Sequence, residues 1–157
     1  MRDKRRKKIC FAASCGGHYE QLMMLKPLME KYDSFVLTEK TQYDVQDEAV
    51  KLYRVPQVNR KEKLCLLKML WISMVSLWLF IKEKPEVVVC TGVLAMIPIC
   101  LIMKLFGRKV IYIESFAMIH APTRTGRLLY PLADRFYVQW ESMKAYYPNA
   151  IYLGAIY

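Results

Sequence analysis

Two short runs of the sequence, residues 86–92 and 109–115, consist mainly of apolar and β-branched side chains. Near-continuous apolar strands of this kind are typical of parallel sheets, because helices cover both faces of such a sheet. Five other strand-like segments lie along the chain, and helical patterns separate them at regular intervals. This alternation predicts an α/β fold with a Rossmann-like parallel sheet.

The other strand-like segments are short and are bounded by turn residues or polar stretches. They are residues 9–11, 34–39, 51–56, 135–140 and 150–153. Residues 19–32 are expected to form one helix, and the polar residues 40–49 a surface loop. A chain of 157 residues has room for one domain with a substantial core. We therefore expect a single domain over 9–157, preceded by a basic arm over 1–8.

A glycine-containing loop follows the first strand and consists of Ser14, Cys15, Gly16, Gly17 and His18. Backbone N–H groups and the positive end of the following helix favour an anion there, with phosphate or diphosphate as the natural ligand. His18 could act as a general base or donate a hydrogen bond to a phosphate or sugar oxygen. A tight turn in which His18 caps the helix is the alternative. The loop matches neither the P-loop nor the dinucleotide fingerprint, which disfavours an NTPase and a dehydrogenase.

Two further loops are candidate substrate-binding positions, because ligands collect at the carboxyl ends of the strands in an open parallel sheet. Thr91 and Gly92 follow the fourth strand, and Glu114 and Ser115 follow the fifth. A carboxylate at the end of an apolar strand needs hydrogen-bonding partners. Glu114 could therefore orient a sugar hydroxyl or act as a base. The alternative is that Glu114 is a partner in the N-terminal cap of a following helix.

The most unusual segment is residues 64–81, an apolar run of 18 residues in which Lys68 is the one charged residue. A membrane-spanning helix needs roughly 20 apolar residues, so this run is at the lower limit. It occupies the position of a crossover helix, and spanning would place strands of one sheet on opposite sides of the membrane. We therefore expect a helix lying at the membrane interface, with Trp71 and Trp78 as anchors on one face and Lys68 beside them. A buried crossover helix is the alternative.

The charge of the chain favours a membrane over nucleic acid as its partner. The formal net charge is +10, and residues 1–8 contain six basic side chains against one acidic one. A basic arm beside apolar helices is suited to anionic lipid head groups. The basic residues lie next to Leu, Met and Trp rather than next to stacking aromatics on a strand, which disfavours nucleic-acid binding.

Cysteine spacing and the start of the chain limit the other possibilities. The five cysteines have no C-x-x-C spacing, so neither a disulfide framework nor a zinc site is indicated. No metal-binding cluster or cofactor motif is expected. No secretory signal is evident, because only a short apolar stretch follows the basic start. We therefore expect a location on the cytoplasmic face of the cell membrane.

Several motifs in chain order resemble one family. The chain is similar to the membrane-associated subunit of the two-part UDP-N-acetylglucosamine transferase that adds the second sugar to dolichol diphosphate N-acetylglucosamine. It is especially similar to the bacterial relatives of that subunit in capsular and exopolysaccharide synthesis. The motifs are Ser14-Cys15-Gly16-Gly17-His18, residues 84–92 with Pro98, Tyr112-Ile113-Glu114-Ser115, residues 125–130, residues 133–136 and Val138-Gln139-Trp140.

The resemblance implies the N-terminal half of a GT-B glycosyltransferase. In this family a separate partner chain binds the UDP-sugar, while the membrane-associated half holds the polyprenyl-diphosphate-linked acceptor and recruits the partner. The family's glycine-rich loop corresponds to Gly16, Gly17 and His18. The apolar C-terminal end resembles the tail that engages the catalytic subunit and contains Leu153, Ile156 and Tyr157. The resemblance therefore implies a metal-independent transferase subunit with little or no activity alone.

The chain departs from the family pattern at three places. We expect the basic arm to take the place of the long N-terminal membrane anchor of the eukaryotic subunit. Met118 lies where many relatives have a basic residue, and Glu141 where a proline is common. Two other functions stay open at this point: a complete small transferase, and a non-catalytic adaptor that only anchors the partner at the membrane.

Overall fold

The computed structural model describes residues 6–40 and 50–156. Most of the predicted basic arm, residues 41–49 of the predicted surface loop and Tyr157 lie outside the described residues. The described part contains a seven-stranded sheet in which every pair of neighbours is parallel. The predicted parallel α/β architecture is confirmed.

All seven predicted strands are present, with small changes at their ends. They are β1 (Lys8–Ala13), β2 (Asp33–Glu39), β3 (Lys51–Val55), β4 (Val87–Cys90), β5 (Lys109–Ile113), β6 (Arg135–Val138) and β7 (Ile151–Tyr152). Their order across the sheet is β3-β2-β1-β4-β5-β6-β7. β4 and β5 end earlier than expected, so Thr91, Gly92, Glu114 and Ser115 lie in the loops beyond their carboxyl ends.

The single helix predicted over residues 19–32 is wrong. The structure contains α1 (Gly17–Met23) and α2 (Lys26–Lys31), separated by a turn at Met24 and Leu25. The cause is Pro27, because a proline has no N–H and its ring clashes with the carbonyl of the preceding turn inside a helix. The first turn of a helix tolerates proline, and Pro27 lies in the first turn of α2.

A long crossover helix, α3 (Cys65–Glu83), connects β3 to β4 and packs against α4 (Ile97–Leu105), which a short 3-10 turn at Leu94–Met96 precedes. The buried side chains of α3 recur at helical spacing: Ile72, Ser76, Leu79 and Glu83. Ile72 and Leu79 join the core on one face of the sheet. α1 and α2 contribute Tyr19, Leu22 and Met29 to the core on the other face. The sheet is therefore covered by helices on both faces.

At the amino end of the sheet, an ionic cluster forms around Glu83, the last residue of α3. Its buried carboxylate accepts hydrogen bonds from Lys8 at a distance of 2.9 Å, and from Lys51 and Tyr53. Burial raises the pKa of Glu83, but the hydrogen bonds from Lys51, Tyr53 and Lys8 outweigh burial and lower the pKa to about 2. Because Lys8 begins β1 and Lys51 begins β3, the cluster ties the end of α3 to two strands.

Candidate functional site

The strand order brings two of the predicted loops together. β1 and β4 are neighbours, and the chain continues from them toward opposite edges of the sheet. Such a switch point in an open parallel sheet creates a crevice outside the carboxyl ends of the strands. The backbone N–H of Thr91 donates to the carbonyl of Ala12 over 3.1 Å. The glycine-containing loop after β1 and the Thr91-Gly92 loop after β4 therefore form one site.

The orientation of the His18 ring is set by Thr91. His18 Nδ1 lies 2.8 Å from the carbonyl oxygen of Thr91, and the Thr91 hydroxyl donates to the carbonyl of His18 over 3.0 Å. Because a carbonyl oxygen can only accept, we assign the proton to Nδ1, and Nε2 then carries the lone pair of the neutral ring. Thr91 is fully buried. Its side chain and carbonyl therefore position His18.

Position 92 requires a glycine because of its backbone conformation and because the His18 ring lies close to it. Its φ is 118°, a conformation that side chains rarely adopt. A Cβ atom at this position would lie 3.3 Å from Cε1 of His18 and 3.4 Å from the hydroxyl oxygen of Tyr112. A larger residue here would therefore strain the loop and push the imidazole.

The glycines of the first loop leave it open. Gly16 has φ 70° and is the N-cap of α1, where its carbonyl accepts hydrogen bonds from the amides of Tyr19 and Glu20. A Cβ added at Gly16 or Gly17 would meet no atom within 4 Å. No side chain caps the start of α1. The helix-cap alternative for His18 is therefore wrong, since its ring contacts Thr91 instead.

Ser14 and Cys15 are engaged within the protein. The Ser14 side chain is buried, and its hydroxyl donates to the carbonyl of Cys15 over 3.3 Å. Cys15 Sγ lies 3.9 Å from Oε2 of Glu39, the last residue of β2. Burial and the neighbouring Glu39 raise the pKa of the Cys15 thiol, which disfavours a thiolate nucleophile.

Glu39 is a buried carboxylate at the carboxyl edge that the sequence reasoning missed. Burial raises its pKa, and a hydrogen bond from the amide of Val58 over 3.1 Å opposes this effect. The available signal was an acidic residue at the end of a strand paired with β1. Glu39 connects the first loop to the loop that follows β3.

Glu114 is fully buried and its carboxylate serves the fold. It accepts hydrogen bonds from the Ser115 amide and the Thr123 hydroxyl, both over 2.9 Å, and from the Tyr147 hydroxyl over 2.7 Å. Thr123 is the N-cap of α5 (Arg124–Leu129), and its Oγ1 accepts from the Gly126 amide over 2.8 Å. These are the contacts of the helix-cap alternative. The burial leaves no surface of Glu114 for a direct contact with substrate.

The loop that begins at Ser115 is held by buried and half-buried side chains from other elements. The Ser115 hydroxyl accepts from a backbone amide within the loop. Gln139 donates to the carbonyl of Glu114 over 2.9 Å, Trp140 donates to the carbonyl of Phe116 over 2.7 Å, and Gln21 accepts from the amide of Phe116 over 3.2 Å. The sequence reasoning did not assign Gln21 a role. Its signal was an amide side chain on an otherwise apolar face of the helix.

An open cleft of ≈ 880 Å³ lies among three loops at the carboxyl edge of the sheet. Its walls are the loop of residues 57–62 after β3, Val93 and Leu94 after β4, and residues 123–125 at the start of α5. Val93 directly follows Gly92, where an added Cβ would lie 3.3 Å from Cε1 of His18. We call this space the basic cleft, because its charged residues are Arg60, Lys61 and Arg124 with the single acidic Glu62. Sequence reasoning missed it, since its walls are far apart in the chain.

The side of α3 that faces away from its buried residues exposes a broad apolar surface. Among the described residues, α3 is the one helix long and apolar enough to cross a membrane. Of its apolar stretch of 18 residues, 17% is buried inside the protein. The rings of Phe80 and Phe106 stack with their centroids 4.8 Å apart and join α3 to the end of α4. The exposed side chains, called here the apolar surface, are Leu66, Leu67, Leu70, Trp71, Met74, Leu77, Trp78, Ile81, Leu101, Leu105 and Phe106. The alternative of a buried crossover helix is wrong for most of α3.

The three residues expected to contact the membrane differ in their surroundings. Trp71 is 56% exposed and Trp78 is 50% exposed. The Lys82 ammonium lies 4.3 Å from the centroid of the Trp78 ring. Lys68 does not point freely outward, because its Nζ donates to Glu62 over 2.5 Å and to a backbone carbonyl of the 57–62 loop over 3.1 Å. Lys68 therefore holds the wall of the basic cleft against α3.

The residues expected to engage a partner chain also differ in their exposure. Leu153 is 81% exposed, whereas Ile156 packs against the core beneath α1. The amide of Ile156 donates to the Gln139 side chain over 3.0 Å. Ile156 thus holds the C-terminal segment on the domain, and Leu153 is presented to solvent. Tyr157 lies outside the described residues.

Comparison with known proteins identifies the family. A family model described as "Oligosaccharide biosynthesis protein Alg14 like" matches residues 28–156. The chain belongs to the Alg14 family. A rat (Rattus norvegicus) protein named UDP-N-acetylglucosamine transferase subunit ALG14 is 32% identical over 129 residues, which cover 76% of this chain and 56% of the relative. The human protein of the same name is 30% identical over 115 residues, covering 67% of this chain and 53% of the relative. The chain spans about half the length of the curated relatives it matches.

Solved structures similar to this Alg14-family chain share its fold at low sequence identity. Acinetobacter baumannii MurG has a TM-score of 0.71 at 18% identity and covers 87% of this chain and 42% of its own. UDP-N-acetylglucosamine 2-epimerase from Rickettsia bellii has a TM-score of 0.71 at 11% identity and covers 96% of this chain and 45% of its own. The likeness to MurG and to the epimerase confirms the predicted Rossmann-like α/β fold.

Proposed function

We propose that the chain is the membrane-associated, acceptor-side half of a two-chain glycosyltransferase. The assembled pair would transfer a sugar from a UDP-sugar to a polyprenyl-diphosphate-linked acceptor. The name of the relatives, transferase subunit, supports a second chain. The partner would supply the UDP-sugar site.

His18 is the observation that carries the proposal. Thr91 holds its Nδ1–H, so that Nε2 is the basic nitrogen of a ring at the switch point of the sheet. An acceptor hydroxyl bonded to Nε2 would transfer its proton there while its oxygen attacks the anomeric carbon of the donor, and UDP would leave on the partner's side. The Thr91 carbonyl would stabilise the imidazolium. If Nε2 donates instead, His18 only positions the acceptor.

The remaining candidate positions have supporting roles. Gly16 and Gly17 keep the first loop open to the acceptor's phosphate or sugar groups. Thr91 and Gly92 position the imidazole. Glu114 and Ser115 would act through the loop that they hold rather than by contact with substrate. No described group of three or more His, Cys, Asp or Glu side chains could hold a metal ion.

Membrane attachment would use the apolar surface of α3 and α4. A helix of 19 residues is about 28 Å long. Exposed basic residues lie at both ends of α3: Arg60, Lys61 and Lys63 before it, Lys82 in its last turn and Lys84 after it. Such charges would contact anionic head groups. The strands at its two ends belong to one sheet, and a spanning α3 would place them on opposite sides of the membrane, so α3 would lie in the plane of the interface.

The cellular role proposed here is capsular or exopolysaccharide synthesis on the cytoplasmic face of the cell membrane. The motif resemblance described above supports the bacterial branch, and the basic start of the chain would add attraction to anionic lipids. The C-terminal segment with the exposed Leu153 would engage the catalytic partner.

A non-catalytic adaptor is the second candidate, and one observation favours it. The Glu114 carboxylate and the Ser115 hydroxyl are engaged inside the fold, so fewer side chains remain to contact an acceptor. The two candidates differ in the role of His18. An adaptor needs the apolar surface and the C-terminal segment but not the imidazole.

The test is transfer of radiolabelled sugar to membrane lipid acceptor from UDP-glucose, UDP-galactose and UDP-N-acetylglucosamine. It compares this chain alone, its candidate partner alone, and both together. We expect transfer only with both chains. Full activity of this chain alone would contradict the two-chain proposal. Full activity of the pair with His18→Asn in place of the native chain would favour the adaptor.

A further inference from the structure

Three cations face the basic cleft without carboxylate partners among residues 6–40 and 50–156. Arg60, Lys61 and Arg124 line the cleft, and none of them is within ion-pair distance of an acidic side chain in that part of the chain. By contrast, Lys104 and Lys109 share Asp134 at the other end of the sheet. Unpaired cations that converge on one concave space favour an anion with more than one charge.

The single carboxylate in the cleft wall does not cancel these charges. Glu62 Oε2 lies 2.5 Å from Nζ of Lys68, and this lysine also donates to the Gln57 carbonyl. The Lys68 contacts therefore neutralise Glu62 and hold the 57–62 loop in place. The cleft keeps the charge of its three cations. Its volume of ≈ 880 Å³ is within the usual range of small-molecule sites.

One wall of the cleft leads along the chain to the apolar surface. The 57–62 loop continues into α3, and Leu66, Leu67 and Leu70 on its first turns are all more than half exposed. A ligand with its anionic group in the cleft could therefore lay an apolar tail along α3. Val93 in the cleft wall follows Gly92, where an added Cβ would lie 3.3 Å from Cε1 of His18. The walls of the cleft are therefore continuous in the chain with the start of α3 and with the loop that positions His18.

We propose that the basic cleft binds the diphosphate group of a prenyl diphosphate lipid, with Arg60, Lys61 and Arg124 as its cationic contacts. The lipid chain leaves along the start of α3, and the group attached to the diphosphate extends toward His18. This inference rests on the proposed function and names the residues that hold the acceptor. It assigns the diphosphate to the cleft rather than to the start of the short helix α1.

The test measures binding of radiolabelled geranylgeranyl diphosphate to the full chain in detergent micelles. We expect the double variant R60Q/R124Q to bind it about tenfold more weakly, because charge-assisted contacts to phosphate are lost. The matched control K31Q/K144Q removes the same charge from exposed positions outside the cleft and should bind like the native chain. Unchanged affinity in R60Q/R124Q, with the circular dichroism of the native chain, would overturn the proposal.

Competitors identify the part of the ligand that is recognised. Inorganic diphosphate should displace the lipid from the native chain, and geranylgeraniol, which lacks the diphosphate, should displace it weakly. Geranylgeraniol as effective as the diphosphate lipid would overturn the proposal. UDP displacing the lipid better than inorganic diphosphate would also overturn it, because the cleft would then be a nucleotide site.

The result is separable from the proposed function. If the native pair of chains transfers sugar and R60Q/R124Q leaves both binding and transfer unchanged, the cleft assignment fails and the two-chain transferase stands. If the native pair transfers no sugar, the proposed function fails whatever the affinity for the diphosphate lipid.

Discussion

The two ends of the sheet use their charged residues differently. At the amino end, Lys8 and Lys51 are bonded to the buried carboxylate of Glu83. At the carboxyl end, the buried carboxylate of Glu114 takes its hydrogen bonds from neutral amide and hydroxyl groups. The cations of that end, such as Arg60, face the basic cleft instead. Cations at the amino end therefore stabilise the fold, while those at the carboxyl end are available to a ligand.

The largest effect is expected for the variant that breaks the carboxyl-end network, Glu114→Ala. It leaves the Thr123 and Tyr147 hydroxyls and the Ser115 amide without their acceptor, and should lower the free energy of unfolding by about 3 kcal/mol. Urea unfolding followed by circular dichroism measures this. Glu114→Gln keeps one acceptor oxygen and should lose less. Equal stability of Glu114→Ala and the native chain would contradict the structural role.

The next effect is expected in activity rather than stability, from His18→Asn. The asparagine amide can still donate to the Thr91 carbonyl, but the basic Nε2 is lost. Transfer by the assembled pair should fall about 100-fold, the usual contribution of a general base, with native stability. His18→Gln, which places an amide nearer to the Nε2 position, tests a positioning role. Recovery of activity in His18→Gln would indicate that His18 positions the acceptor without accepting its proton.

At the amino end, Glu83→Gln should lower the free energy of unfolding by about 2 kcal/mol, because Lys8 and Lys51 lose their anionic partner. The pKa of Glu83 falls from 4.5 to about 2 on folding. Its stabilisation is therefore present above pH 4.5 and is lost as the pH falls from 4.5 toward 2. Unfolding measured across this range should show a smaller pH dependence in the variant. The same pH dependence in both proteins would contradict the assignment.

The smallest effect is expected from Trp71→Gln on the apolar surface. Removing one exposed aromatic side chain should weaken binding to vesicles of anionic phospholipid about tenfold and leave the fold unchanged. Vesicle sedimentation measures this binding. Leu128→Gln, at a similarly exposed apolar residue of α5, is the matched control. Equal losses in the two variants would mean that α3 is not the membrane-facing side.

Much of the fold could be predicted from the sequence because its signals are local. β-branched runs such as Val87–Cys90 indicate buried parallel strands wherever they occur. The apolar residues of α3 likewise indicated one long helix. The same local reasoning placed one helix over residues 19–32, where the structure has two helices separated at Met24 and Leu25. The break is itself a local property of proline and was available in the sequence.

The contacts of the candidate site were less predictable. The sequence placed Thr91, Gly92 and His18 at the ends of strands, but only the strand order made β1 and β4 neighbours. Glu114 had two open roles, and its bonds to Thr123 and Tyr147, 9 and 33 residues away, favour the cap. Lys68 was expected at the membrane, and the partner that turns it away is Glu62 in the preceding loop.

By itself, the sequence determined which segments are strands, that α3 is long and apolar, and that a glycine loop with His18 follows the first strand. These properties depend on neighbouring residues and on the intrinsic conformations of each residue type. Only the tertiary structure decided which side of α3 is exposed, that Lys68 pairs with Glu62, and that Arg60 and Arg124 face one cleft. Those outcomes depend on burial and on pairs of charges that are distant along the chain, which come together only when the sheet is assembled.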